Sequence, residues 1–170
     1  MERTLKVLVA AVFAAATLFF STSLHAQDPP PGGFKNAYLT PGKSGKVGLT
    51  YTRWDEQVKK GNYTLCFFWA SWSDEAREEL PYILAVSKKY AGKVKVLGVT
   101  YGDEIQDSMD AIARWGMTFP SFVFVEDAPP AGDFDIDTIP LVILFGPGGN
   151  VVARDLRGEE IEKAVGEALR

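Results

Sequence analysis

The chain has 170 residues, of which 46% are hydrophobic and 24% charged, with a formal net charge of −4. That is enough chain to bury one hydrophobic core, and the composition excludes a disordered chain, a collagen-like repeat and a disulfide-dense scaffold. The acidic balance leaves no electrostatic footprint for nucleic acid, and the one cysteine, Cys66, cannot form an internal disulfide.

In chain order, the first 26 residues read as a cleavable secretory signal. Arg3 and Lys6 form a basic start, residues 7–20 are uncharged and apolar, and small or polar residues follow through Ser21, Ser23 and Ala26. The apolar run is shorter than the roughly 20 residues a membrane span needs, so the expectation is cleavage after Ala26 and no membrane anchor afterwards. No cysteine lies at the cleavage point to take a lipid. Removing residues 1–26 also removes His25, the sole histidine, and makes the net charge more negative by one unit. A Ser-His-Asp triad, a Cys-His pair and a His-ligated metal are then impossible within this chain.

Residues 27–46 carry Pro29-Pro30-Pro31, Gly32-Gly33, Pro41 and Gly45 and read as an exposed arm. The remainder, 47–170, reads as one domain without internal repeats. Residues 47–51 are a brief strand candidate; Thr52 and Asp55 resemble a capping box for a short helix through 60, ended by Gly61. Residues 64–70 (TLCFFWA) are continuously apolar, the pattern of a strand covered on both faces. Ser73 can cap a helix over 74–90, with Ala76, Leu80, Ile83, Leu84 and Ser87 on one face and Pro81 bending it. A strand at 94–100, a helix at 105–115 and a strand at 121–125 follow, then an acidic, Pro-containing loop to 138. Strands at 141–145 and 151–154 flank the turn 146–150 as a hairpin, and 159–169 has the apolar spacing of an amphipathic helix. This order implies an α/β layered fold with a mixed sheet.

The segment 67–81 (FFWASWSDEAREELP) is similar to the active-site segment of extracytoplasmic thioredoxin-like proteins of the TlpA type, whose pattern is roughly F-W-A-x-W-C-x-x-C-x-x-E-x-P. Trp69, Ala70, Trp72, Glu79 and Pro81 match it position by position. Downstream, MTFPSFVF (117–124) resembles the family's inserted segment, DTIPLVILFGPGGNVV (137–152) its cis-proline loop and hairpin, with Pro140 at the proline, and RGEEIEKAV (157–165) the entry to its last helix. The resemblance covers about residues 46–170. It implies a thioredoxin-like fold, a mixed central sheet flanked by helices with a C-terminal hairpin and helix, and a cis Ile139–Pro140 bond.

The chain departs from the family at the chemistry. Ser73 and Ala76 stand at the two cysteine positions. Thiol–disulfide exchange needs a thiolate to attack and a second thiol to resolve the mixed disulfide; neither side chain supplies one. Asp74 and Glu75 suit a helix N-terminus but would raise the pKa of a thiol beside them. Cys66 lies inside a buried-type strand and reads as a small core hydrophobe. Glu79 matches a family glutamate that assists proton movement, and without thiols it reads equally as an ordinary helix residue.

Other motifs are weaker. Asp133, Asp135 and Asp137, with Glu126 and Asp127, lack the glycine and glutamate spacing of a calcium loop, and 126–137 reads as a solvated acidic loop. Asn62-Tyr63-Thr64 is a formal glycosylation sequon. In the family, the turn holding Trp72 and Ser73 and the loop holding Ile139 and Pro140 form an apolar groove where partner polypeptide docks in extended form, and that shape does not require cysteines. Trp72 also reads simply as a cover for the end of the core.

The functional reading is therefore an exported, bacterial periplasmic, redox-inactive thioredoxin-like domain that binds or scaffolds an extracytoplasmic protein or peptide, with no cofactor, metal or nucleic acid. Two other readings remain open: an oxidoreductase with residual activity through a partner's cysteines or Cys66, and a structural subunit of an envelope complex.

Overall fold

A computed structural model describes residues 36–58, 61–124, 134 and 136–170 of the chain, which fall in one compact unit, Gly33–Arg170. Seven strands form a single sheet: β1 (Asn36–Pro41), β2 (Val47–Thr52), β3 (Tyr63–Trp69), β4 (Val94–Tyr101), β5 (Ser121–Phe124), β6 (Leu141–Phe145) and β7 (Val151–Ala153), in the spatial order β2-β1-β5-β4-β3-β6-β7. The helices are α1 (Trp54–Gln57), α2 (Asp74–Lys89), α3 (Ile105–Trp115) and α4 (Glu159–Ala168). Pairs β3–β4 and β4–β5 are parallel and the others antiparallel. The mixed sheet, flanking helices and closing hairpin and helix are those the sequence implies.

Alternation along β3 divides the core. Leu65, Phe67 and Trp69 face a cluster that takes Ala76, Leu80, Ile83 and Val86 from α2, Ala111 and Ile112 from α3, and Ile161 and Val165 from α4. Cys66 and Phe68 face a second cluster with Leu97, Val99, Phe122 and Phe124, closed by Trp54 of α1 and by Phe134 and Ile136. Both faces of β3 are covered, which is why its sequence is apolar without a break. The two parallel crossovers, β3-α2-β4 and β4-α3-β5, run the same way across the sheet, so right-handed connection sets α2 and α3 on the same side.

Two glycines matter here. Gly116 ends α3 in the left-handed conformation, φ 67°, a backbone conformation that a residue with a side chain adopts only under strain. Gly98 lets the Trp69 indole and Ser121 approach β4: a Cβ there would lie 2.0 Å from Ser121 Oγ and 2.9 Å from Trp69 Nε1.

The structure corrects three readings. Residues 36–41, expected within an exposed arm over 27–46, form β1, an interior strand between β2 and β5 that buries Asn36, Ala37 and Leu39. Its partner β5 lies some eighty residues downstream, so the burial has no local signature. The capping arrangement shifts by one residue. Glu56, not Asp55, carries it, accepting from the Arg53 amide (3.3 Å) and the Thr52 hydroxyl (2.7 Å), and the helix is a single turn. On α2, Val86 takes the buried place expected for Leu84 and Ser87, which are half-buried. The signal-peptide reading of 1–26 and most of the acidic loop 126–137 lie outside the described residues.

Candidate functional site

The chain leaves β3 through a tight turn. The Ser73 amide donates to the Ala70 carbonyl at 3.1 Å, so Ser71 and Trp72 occupy its two central positions. Ala70 and Trp69 are wholly buried, whereas Trp72 is 67% exposed. An aromatic so placed stabilises little of the fold.

Ser73 is spent on the helix that follows. Its Oγ accepts from the Ala76 amide at 3.1 Å and donates to Glu75 Oε2 at 3.3 Å, and the residue is 2% exposed. That is the N-cap expected from sequence. Ala76 is fully buried against the core. No thiol stands at either position. Cys66 is completely buried on β3, and burial pushes its thiol pKa strongly upward, which suppresses the thiolate.

Pro140 is reached through sheet register. Leu141 pairs with Phe68 in the antiparallel β3–β6 ladder. Continuing that register sets Ile139 and Pro140 beside the segment where β3 gives way to the Trp72 turn. The Ile139–Pro140 peptide is cis; Pro140 is buried and Ile139 half-buried. The four residues singled out for binding, Trp72, Ser73, Ile139 and Pro140, thus lie at one end of the sheet, with Trp72 the exposed member.

Three contacts hold this end in shape, and none was visible in the sequence. Asp103, 6% exposed at the β4–α3 junction, accepts from the Ser71 amide at 2.7 Å through Oδ2 and from the Ser71 hydroxyl at 3.0 Å through Oδ1. The Ser108 hydroxyl, 3.3 Å from Thr100 Oγ1, joins the same buried polar group. A buried carboxylate is tolerable only with such donors. On the other side, Arg157 donates to the Pro140 carbonyl, fixing the proline loop to the start of α4. Glu79 accepts from the Gly158 amide at the N-cap of α4. The carboxylate that matches the family's proton-moving glutamate therefore serves as a tie between α2 and α4. Only the spacing of these partners across the chain hides them: Ser71 and Asp103 lie 32 residues apart, Glu79 and Gly158 79 apart.

Among the described residues, no group of three His, Cys, Asp or Glu is placed to hold a metal ion, and no helix is long and apolar enough to cross a membrane.

No family model matches the chain. It is 26% identical over 96 residues to the thioredoxin-like protein YneN of Bacillus subtilis, covering 55% of each chain. It is also 26% identical over 94 residues to the thiol-disulfide oxidoreductase ResA of the same organism, covering 55% of this chain and 52% of that one. The chain thus spans about half the length of the curated relatives it matches. Among solved structures, the thioredoxin domain of a thiol-disulfide oxidoreductase from Bacteroides vulgatus superposes with a TM-score of 0.62 at 22% identity, over 84% of this chain and 100% of that one. The parallel β3-α2-β4 unit, the capped turn at its top, the proline loop beside it and the superposition agree on one architecture: the chain has a thioredoxin-like fold.

Proposed function

We propose that this protein is an exported thioredoxin-like domain that has kept the docking end of the fold without the thiol chemistry, and that it works by holding an extended segment of another envelope protein. The observation that carries this reading is Ser73. The residue standing where an attacking thiol would be is buried, and both hydrogen-bonding roles of its hydroxyl are used within the first turn of α2. Dithiol exchange requires two thiols that can approach each other; the chain has one, inside the sheet. Trp72 supports the binding half of the reading, because tryptophan is among the residues that dominate interface energetics and here it stands exposed on a turn fixed from below by Asp103. An extended segment laid beside Ile139 gains main-chain hydrogen bonds, and its side chains meet Trp72. Export is supported by the basic start, apolar run and small residues of 1–26.

The test is turnover of an insulin disulfide by the purified protein with a thiol reductant. The rate should equal that of the reductant alone. Turnover above that background, lost in Cys66→Ala, would place the protein among residual oxidoreductases instead.

A further inference from the structure

The sheet has two outer edges, and they differ. β7 is three residues long, meets β6 through an irregular register at Leu144 and Phe145, and is followed at once by the charged pair Arg154 and Asp155. Those are the usual devices that prevent an edge from pairing with another chain. β2 has none of them. It is six residues long (VGLTYT), carries no charge and no proline, and keeps an unbroken register with β1 from Val47 to Thr52. Its four central residues are exposed, including Leu49 at 41% and Tyr51 at 59%. A long, regular, uncharged edge with two large apolar side chains on one face is open to strand addition.

We propose that β2 is a homodimer interface: two copies pair their β2 strands antiparallel about a two-fold axis at Thr50. The sequence of the strand is complementary to itself in that register. Leu49 of each copy falls opposite Tyr51 of the other, on the same face, giving two aromatic–aliphatic cross-strand pairs, and Gly48 falls opposite Thr52. Within each copy Leu49 pairs with Leu39 and Tyr51 with Ala37, so the apolar face of one sheet continues into the next. Charge agrees with the antiparallel sense. Lys43 and Lys46 precede the strand, and Arg53, Asp55 and Glu56, net negative, follow it, so each basic end meets an acidic one. The interface is isologous and therefore closes at two copies. It involves one strand from each side, below the area of a standard interface, and so predicts a weak, concentration-dependent dimer.

The experiment is sedimentation equilibrium of the exported protein between roughly 1 µM and 1 mM, the range in which a weak dimer dissociates, beside Tyr51→Lys, Leu49→Lys and a control on the opposite edge, Val152→Lys. The expected result is a rise in weight-average mass from monomer toward dimer in the parent and in Val152→Lys, with both β2 variants monomeric throughout. Circular dichroism melting checks that the variants are folded. As a measurement independent of any variant, amide exchange of β2 in the parent should slow as concentration rises. A parent that stays monomeric across the range, or a dimer that survives Tyr51→Lys or is lost equally in Val152→Lys, overturns the proposal; a monomeric parent points to a strand from another protein.

Discussion

Trp69 and Trp72 stand three positions apart, one at the end of β3 and one in the turn that leaves it, and the fold uses them in opposite ways. Trp69 is wholly buried, its ring 5.3 Å from that of Trp115 and packed over Gly98. Trp72 projects from a turn fixed by the Ser73–Ala70 hydrogen bond and by the Asp103 carboxylate. The strand dictates the first placement, since alternation on β3 sends Trp69 toward α2 and α3. The turn dictates the second. A large exposed aromatic contributes little to folding, and the proposed docking role rests on it, whereas Trp69 has a role in packing alone.

The largest effect that could break this contrast is on stability. Trp69→Ala should cost about 3–5 kcal/mol, the range for removing a large buried aromatic, and in urea denaturation the midpoint should fall steeply or the folded state disappear. Ser73→Ala comes next. It removes the N-cap of α2 and leaves the Ala76 amide without its partner, so a loss of about 1 kcal/mol is expected by the same measurement. No loss would mean that the position where the family has a cysteine is not serving the helix. Trp72→Ala should have the smallest effect on the fold, within about 0.5 kcal/mol of the parent. Any segment docked against the turn should nonetheless be released, since truncating an anchor of this kind costs about 2 kcal/mol of binding. Equal destabilisation by Trp69→Ala and Trp72→Ala would erase the contrast.

How much of this the sequence revealed depends on the range of the interactions. The Ser73 cap and the bounds of α3 are local matters of apolar pattern and capping chemistry and stand in the structure as read, and the strand expected at 64–70 stands one residue earlier, at Tyr63–Trp69. The opposite fates of the two tryptophans also follow from local order, strand then turn. β1 was hidden because prolines and glycines dominate its neighbourhood while its burial comes from pairing with β5 far along the chain. The capping shift from Asp55 to Glu56 is a one-residue matter that side-chain geometry alone decides. The ties that shape the candidate site, Asp103 to Ser71, Glu79 to Gly158 and Arg157 to Pro140, depend on which loops the topology brings together. Glu79 shows the limit most sharply: the motif match supplied its identity, and only the fold supplied its partner.

On the proposed reading, this end of the fold is intact and lacks only sulfur. Ser73 Oγ already lies 3.1 Å from the Ala76 amide, so cysteines at these two positions would face each other across the first turn of α2. The most direct measurement is disulfide exchange by Ser73→Cys/Ala76→Cys beside the parent. The parent should show no turnover above background. The double variant should form an internal disulfide, counted by thiol titration, and turn over slowly as a reductant because Asp74 and Glu75 disfavour the attacking thiolate. Turnover by the parent, or a double variant whose two new thiols never pair under oxidising conditions, would overturn that reading.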